Sequence, residues 1–142
     1  SDLALFDTAS GLCYVARLQM GGAGGEYTLG LLAWQLLWGW PSAVPVSGDY
    51  DNDCRSDFAV YDRNSGYWYI LSGTGTILAW SVSWGSPAAL PVPGDYDGDG
   101  SNDLAVFDAE RGRWYIRTVL GEVLAWNLPW GWRGATAVGA AQ

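Results

Sequence analysis

The chain has 142 residues, of which 49% are hydrophobic, and these values suit one compact domain with a sizeable core. Its formal net charge is −8, and its seven basic residues are all arginine, because the chain contains neither lysine nor histidine. Nucleic acid is therefore not expected as a partner, since no basic stripe is present to displace phosphate counterions. We also expect no membrane span, because no apolar run reaches the ~18 residues of a transmembrane helix.

Sequence repeats divide the chain into units of approximately 1–47, 48–93 and 94–142 within one repeat domain. The segment Leu-Ala-Trp recurs at a spacing of 46 residues, beginning at Leu32, Leu78 and Leu124. A Trp-Gly pair follows each copy, at Trp38, Trp84 and Trp130. The first unit is about nine residues longer than the others. We assign the extra length to the glycine-rich stretch 19–27, which is flexible by composition and could carry a specific contact.

Each unit is predicted to contain four short strands. In the third unit we predict strands at Leu104–Phe107, Arg113–Val119 and Val123–Leu128, and the fourth strand is clearest in the second unit at Ala88–Val92. Short strands separated by Gly, Asn, Asp and Ser indicate an antiparallel all-β protein. A repeat of 46 residues with four strands is typical of a β-propeller blade. A β-sandwich is the alternative, although it needs no such repeat.

An aspartate ends the first predicted strand of every unit, at Asp7, Asp62 and Asp108. Because the position recurs in each unit, we expect these side chains to cap the following turn. We therefore expect no catalytic role for them. With no histidine or lysine in the chain, we predict that the protein is not an enzyme. A glycan-active enzyme, using paired carboxylates, is the less favoured alternative.

Two similar loops, GDYDNDCRSD at Gly48–Asp57 and GDYDGDGSND at Gly94–Asp103, hold eight of the fifteen acidic residues. Carboxylates at loop positions 1, 3, 5 and 9 repel one another unless a cation lies among them. All-oxygen ligands with glycine at position 6 favour calcium. Position 12 is Val106 and a predicted strand follows, so this is not an EF-hand. A polar turn without an ion remains the alternative.

The segment PVPGDYDGDGSNDLAVFD, followed by RWYI, resembles the FG-GAP/VCBS-type repeat of calcium-binding β-propellers, such as the blades of integrin α-subunit heads. The resemblance extends over nearly the whole chain in three copies. It implies a propeller whose blade loops are stabilised by calcium, acting in adhesion, carbohydrate binding or scaffolding. It also implies a secreted, extracellular or cell-surface location.

By this resemblance the chain has two calcium sites. The side-chain ligands of the first would be Asp49, Asp51, Asp53 and Asp57, with the Arg55 carbonyl. Those of the second would be Asp95, Asp97, Asp99 and Asp103, with the Ser101 carbonyl. The first loop departs from the pattern because Cys54 replaces the glycine at position 6. If the turn needs a positive φ there, cysteine is strained, so we expect the first site to be the weaker one.

Three blades cannot close a propeller, which uses about 4–8 blades. Asp2 aligns with Asp103, and residues 135–138 align with residues 89–92, so only two complete acidic loops are present. We expect the ring to be completed either by a longer parent chain or by self-association. Two chains would form a six-bladed homodimer with two-fold symmetry, which is the arrangement we favour.

Tryptophans that recur in every unit are expected between blades. Trp40 and Trp132 break the repeat, because the second unit has Ser86 at that position, and they are the candidates for stacking on a sugar ring. The possible ligands are therefore a glycan or a protein. Cys13 and Cys54 could form one disulfide, but the sequence does not require it.

Overall fold

The computed structural model describes residues 2–21, 24–25, 27–41 and 43–138, and within these ranges the regular structure is entirely β. The strands are β1 Asp2–Asp7, β2 Leu12–Met20, β3 Tyr27–Leu37, β4 Ala43–Pro45, β5 Phe58–Asp62, β6 Tyr67–Leu71, β7 Ile77–Ser83, β8 Ala89–Pro91, β9 Leu104–Asp108, β10 Arg113–Arg117 and β11 Val123–Pro129. The predicted all-β fold is confirmed. In the part of the chain that is described, no helix is long and apolar enough to cross a membrane.

The strands form three antiparallel sheets, in the orders β1-β2-β3, β4-β5-β6-β7 and β8-β9-β10-β11. The chain divides into two compact units, residues 1–43 and 44–142. The first unit contains the first sheet. The second unit contains the third sheet and nearly all of the second, since the division falls within β4. Sheets of three to four strands are consistent with propeller blades.

The sheets are offset from the sequence repeats by one strand. Strand β8 lies at the end of the second sequence unit but pairs with β9, so that Leu90 faces Phe107. In the same way β4 joins the sheet of β5, β6 and β7. The first sheet therefore has three strands instead of the predicted four, and residues 135–138, which align with β8, form no strand. The physical reason is that the fourth strand of a sequence unit pairs with the next sheet and not with its own.

In the first unit, the predicted insertion 19–27 lies partly in the β2–β3 hairpin. Gln19 pairs with Thr28 and Met20 pairs with Tyr27, so the extra length extends two paired strands. Of the connecting loop, Gly21, Gly24 and Gly25 are described; residues 22, 23 and 26 lie outside the described part. Whether the loop is flexible, or contacts a ligand, stays a prediction.

The recurring aspartates at the ends of β1, β5 and β9 cap the following turns, as predicted. Asp7 Oδ1 accepts a hydrogen bond from the Ala9 N–H at 2.9 Å, and Asp62 Oδ1 accepts one from the Asn64 N–H at 2.9 Å. Asp108 Oδ1 accepts one from the Glu110 N–H at 3.0 Å. Each carboxylate thus satisfies a turn N–H that has no strand partner.

The Trp-Gly pairs are explained by close packing within each unit. Gly85 has a φ of 152°, and a Cβ there would overlap the Tyr61 ring. A Cβ at Gly66 would lie 2.7 Å from the Gly85 carbonyl carbon, so the two glycines allow these two chain segments to touch. Gly11 with Gly39, and Gly112 with Gly131, repeat this contact. The glycine of the motif therefore reflects steric need, because any side chain there would collide with the facing segment.

The core of the second unit is formed by the second and third sheets together. Its largest fully buried side chains include Trp68, Tyr61 and Ile70 of the second sheet and Leu104 of the third. The Trp68 indole N–H donates a 2.7 Å hydrogen bond to the Trp84 carbonyl, which joins β6 to the segment after β7. This core fixes the positions of the two acidic loops, which precede β5 and β9.

Candidate metal centre

The two acidic loops connect β4 to β5 and β8 to β9, on the same side of neighbouring sheets. Each loop is closed by an isolated bridge, Gly48 with Asp57 in the first and Gly94 with Asp103 in the second. The N–H of the ninth residue donates to the carbonyl of Gly48 or Gly94, at 2.7 Å in both loops. The bridge holds the ends of each loop together, so the intervening residues must fold back on themselves.

In the first loop, the carboxylates of Asp49, Asp51 and Asp53 point inward and offer oxygen atoms that all lie within 4.8 Å of one another. Backbone N–H groups support this arrangement. Asp49 Oδ2 accepts from the Cys54 N–H at 2.9 Å, and Asp53 Oδ1 accepts from the Arg55 N–H at 2.9 Å. Three of the four predicted side-chain ligands of this loop are therefore brought together.

The second loop repeats the geometry with Asp95, Asp97 and Asp99, whose oxygens also lie within 4.8 Å of one another. Asp95 Oδ2 accepts from the Gly100 N–H at 2.9 Å, and Asp99 Oδ1 accepts from the Ser101 N–H at 2.7 Å. The Gly100 N–H, followed by other backbone donors, lowers the pKa of Asp95. That carboxylate is consequently ionised and available to a cation over the whole neutral range.

The ninth residue of each loop behaves differently from the other three aspartates. Asp57 and Asp103 are each 1% exposed and lie outside the two groups of converging carboxylates. Asp57 accepts from the backbone N–H of Tyr50 at 2.7 Å and of Gly73 at 2.9 Å, and Asp103 accepts from that of Tyr96 at 2.8 Å. Burial raises the pKa of both, and the other loop aspartates raise it further. Their role as direct ligands stays a prediction.

At the seventh loop position, the N–H groups of Arg55 and Ser101 donate to the aspartate at position 5 of the same loop. The role of their carbonyls as ligands stays a prediction. The sixth positions have positive φ in both loops, 64° at Cys54 and 94° at Gly100. The expected strain at Cys54 is therefore present, because a side chain is unfavourable in this conformation.

The two loops contact each other through asparagines that the sequence analysis did not single out. The Asn102 N–H donates to the Asp49 carbonyl at 2.6 Å, and the Asn52 side-chain amide donates to the Asp99 carbonyl at 3.4 Å. A Cβ at Gly48 would overlap the Asn102 amide, which shows how closely the loops approach. The only sequence signal was that Asn52 replaces the glycine found at Gly98, a position that requires positive φ.

The remaining predicted residues are scattered. Trp40 is half-buried in the first unit, and Trp132 of the second unit is 74% exposed. Cys13 and Cys54 are both free cysteines, so no disulfide joins them.

The donor set suits calcium better than a transition metal. Every converging group is a carboxylate oxygen, and hard oxygen ligands are those that calcium prefers. Neither acidic cluster includes a histidine or cysteine ligand, which zinc would favour.

Taken together, the fold and the loops define a class: an all-β repeat protein with blade-like antiparallel sheets and acidic loops between them. A family model described as the FG-GAP-like repeat matches residues 49–106. This segment runs from the first acidic loop into β9 and includes the second acidic loop. The matched segment is similar to an FG-GAP-like repeat, which confirms there the resemblance seen in the sequence. No curated protein and no solved structure matches the chain significantly.

Proposed function

We propose that the protein is a calcium-stabilised β-propeller module that serves extracellular binding, adhesion or scaffolding, without a catalytic role. The observation that carries the proposal is the pair of three-carboxylate clusters in equivalent positions of the second and third sheets. Two copies with the same hydrogen-bonding pattern argue for a shared purpose. An extracellular setting is consistent with this, because millimolar calcium there saturates sites of ~10⁻⁴–10⁻³ M affinity.

The electrostatics of the loops support a cation. Three carboxylates that converge within 4.8 Å repel one another, and the backbone N–H groups around them only partly offset the repulsion. Burial raises the pKa of the ninth aspartate of each loop, Asp57 or Asp103, and repulsion from the other loop aspartates raises it further, so a nearby cation would favour the charged form of this residue as well. A doubly charged ion would bind to Asp49, Asp51 and Asp53, or to Asp95, Asp97 and Asp99. It would supply the missing positive charge and close the loop.

Calorimetry tests this proposal directly. The protein stripped with EDTA is melted alone, with calcium and with magnesium. We expect calcium to raise the melting temperature and magnesium to have a smaller effect, because magnesium keeps more of its water. The double variant Asp49→Asn/Asp95→Asn should lose the calcium effect while keeping the fold. A melting curve of the parent protein that is identical with and without calcium would refute the proposal.

We further propose that the ring is completed by a second copy of the chain, which gives a six-bladed homodimer. Trp84 is 8% exposed because it lies against Trp126 of the third sheet, with ring centroids 5.6 Å apart. Its equivalent Trp130 is 76% exposed, and the neighbouring Leu128 is exposed as well. The third sheet thus presents to solvent the surface that the second sheet buries. Further blades in a longer parent chain are the alternative.

Light scattering tests the assembly. We expect a dimer for the parent protein and a monomer for Trp130→Arg, whereas Leu120→Arg, at an exposed turn of the same sheet, should stay dimeric. A parent protein that is monomeric at all concentrations contradicts the homodimer.

Carbohydrate binding is the second candidate function. It is favoured by the exposed indole ring of Trp126 in β11; the predicted candidate Trp132 follows β11 and is exposed as well. Exposed aromatic rings offer flat apolar surfaces that suit the C–H faces of a pyranose.

A further inference from the structure

A cavity of about 350 Å³ lies between the second and third sheets, within the second unit. Trp84 and Asp108, at its base, are buried. At its mouth are Trp126, which is 68% exposed, and Arg111, whose side chain is 71% exposed. The cavity is therefore open to solvent, has a buried floor and falls within the ~300–1,000 Å³ range of small-molecule sites.

Two departures from the repeat meet in this cavity. Ser86 lines it, whereas the other two units have tryptophan at this position, Trp40 and Trp132. Arg111 also lines it, whereas the other two units have serine there, Ser10 and Ser65. The small Ser86 side chain leaves space where the repeat would place an indole ring, and the arginine adds a long polar side chain at the edge of that space.

The aromatic wall of the cavity is held in place by its own contacts. Trp126 packs against Tyr115 with ring centroids 5.1 Å apart and an angle of 82° between the planes. The Tyr115 hydroxyl and Asn127 Oδ1 are 3.2 Å apart, and the Trp84 indole N–H donates to the Tyr115 carbonyl at 3.2 Å. Because these contacts already restrict the Trp126 side chain, its exposed ring can stack on a ligand with little further loss of conformational entropy.

The polar side of the cavity is a charge pair. Arg111 Nη1 lies 2.9 Å from Asp108 Oδ2. In the other two units a serine donates to the equivalent aspartate: Ser10 to Asp7 and Ser65 to Asp62. In the third unit Arg111 takes the place of this serine as the donor to Asp108. The pair is neutral overall and combines an acceptor with several N–H donors. It therefore suits an uncharged ligand with many hydroxyl groups better than an anion or a cation.

We propose that this cavity binds a neutral pyranose ring of a glycan, with its apolar face on Trp126 and its hydroxyls on Asp108 and Arg111. The proposal deepens the second candidate function and rests on it, by assigning carbohydrate binding to a particular site. It moves the site from Trp40 and Trp132, the two residues that the sequence favoured, to the position of Ser86, where the repeat lacks tryptophan. It does not depend on calcium acting as a ligand of the sugar.

The proposal is tested by NMR, from the indole N–H signals of the 15N-labelled protein. The probes are the methyl glycosides of glucose, galactose, mannose, fucose and N-acetylglucosamine. Each is titrated into the protein in calcium-containing buffer, in whichever oligomeric state it is isolated. We expect at least one glycoside to shift the signals of Trp84 and Trp126, with millimolar affinity. Ser86→Trp restores the residue of the other units and should fill the cavity, weakening binding at least about tenfold.

Two further variants make the outcome decisive. Arg111→Ser keeps a donor to Asp108, as in the other units, and should also weaken binding; it decides the matter if Ser86→Trp does not fold. Trp132→Ser is the matched control and should bind as the parent does. The proposal is overturned if no glycoside shifts these signals, or if binding survives Ser86→Trp and is lost in Trp132→Ser. The effect of calcium is measured separately, from melting curves of the same samples. Calcium stabilisation and glycan binding can therefore each fail without the other.

Discussion

The two acidic loops adopt the same backbone path with different residues at the positions that most need glycine. At the fourth position φ is 61° for Asn52 and 81° for Gly98, and at the sixth it is 64° for Cys54 and 94° for Gly100. In both loops the first aspartate accepts the N–H of the sixth residue at 2.9 Å. The same backbone conformation and the same hydrogen bond to the aspartate are thus present with either residue type, whereas the steric cost of the positive φ differs between them.

The loops also differ in how they are joined to the sheets. Asp57 accepts from Gly73, in the turn between β6 and β7, in addition to Tyr50. Asp103 accepts from Tyr96, within its own loop. The buried carboxylate of the first loop is thus hydrogen-bonded to a neighbouring turn. This additional bond occurs in the loop whose backbone is the more strained, at Cys54.

The largest expected effect comes from removing these buried carboxylates. In EDTA, we expect Asp57→Ala to reduce the free energy of unfolding by about 3–5 kcal/mol, since the buried N–H of Tyr50 and the part-buried bond from Gly73 lose their charged partner. Asp103→Ala should cost about 2–3 kcal/mol by the same reasoning. Urea denaturation measures both. Equal costs would show that the bond from Gly73 contributes nothing.

The next largest effect is a difference in calcium affinity between the two loops. Each occupied site adds about 2.7 kcal/mol to the free energy of unfolding when calcium is at 100 times its dissociation constant. We expect Asp95→Asn to remove more of the calcium stabilisation than Asp49→Asn, because the second loop is unstrained at its sixth position. Titration calorimetry on the two variants gives the affinity of the remaining site. A tighter site in the first loop would contradict the ranking.

Exchanging the sixth residues should sharpen the comparison. Cys54→Gly is expected to stabilise the protein by about 0.5–1 kcal/mol, because glycine adopts positive φ without steric cost. Gly100→Ala is expected to destabilise it by about 1–2 kcal/mol. A Cβ there would lie 2.7 Å from Asn52 Oδ1, so the contact between the loops would also be disturbed. Thermal melts of the two variants should move in opposite directions.

The smallest effect concerns the turn after β9. Burial raises the pKa of Asp108, but its bonds with Arg111 and nearby N–H groups outweigh this and leave the pKa lowered. Its contribution to stability is therefore present above the ordinary aspartate pKa of about 3.9 and is lost as pH falls through the lowered value. In Arg111→Ser the pKa of Asp108 should rise, and acid unfolding should begin at higher pH. Carboxyl NMR titration checks this, with Asp7, whose partner Ser10 is unchanged, as the internal control.

Local features of the fold could be predicted from the sequence because they depend on neighbours in the chain. The predicted strand Leu104–Phe107 differs from β9 by one residue, and the turn caps at Asp7, Asp62 and Asp108 were placed correctly. The convergence of the aspartates at loop positions 1, 3 and 5 also follows from local spacing.

Features that depend on distant residues could not be predicted. The pairing of β8 with β9 requires knowledge of which sheet lies beside β8. Asp57 accepts a hydrogen bond from Gly73, sixteen residues away, and the bond from Asn52 to Asp99 spans 47 residues. Ser86 lines a cavity together with Asp108 and Trp126, which are distant from it in the sequence, so its role does not follow from the repeat alone. The sequence repeat predicts the strands of each unit, but it does not predict which strands and side chains of neighbouring units contact one another.

The pairing of β8 with β9 also has a consequence for how such a chain can be cut or duplicated. A truncation after residue 93 would leave β8 as an orphaned edge, and a fragment starting at residue 94 would lack the strand that covers β9. The sequence repeat and the hydrogen-bonded sheet are therefore out of phase by one strand. A minimal fragment that retains the whole third sheet must begin before residue 89, inside the preceding repeat.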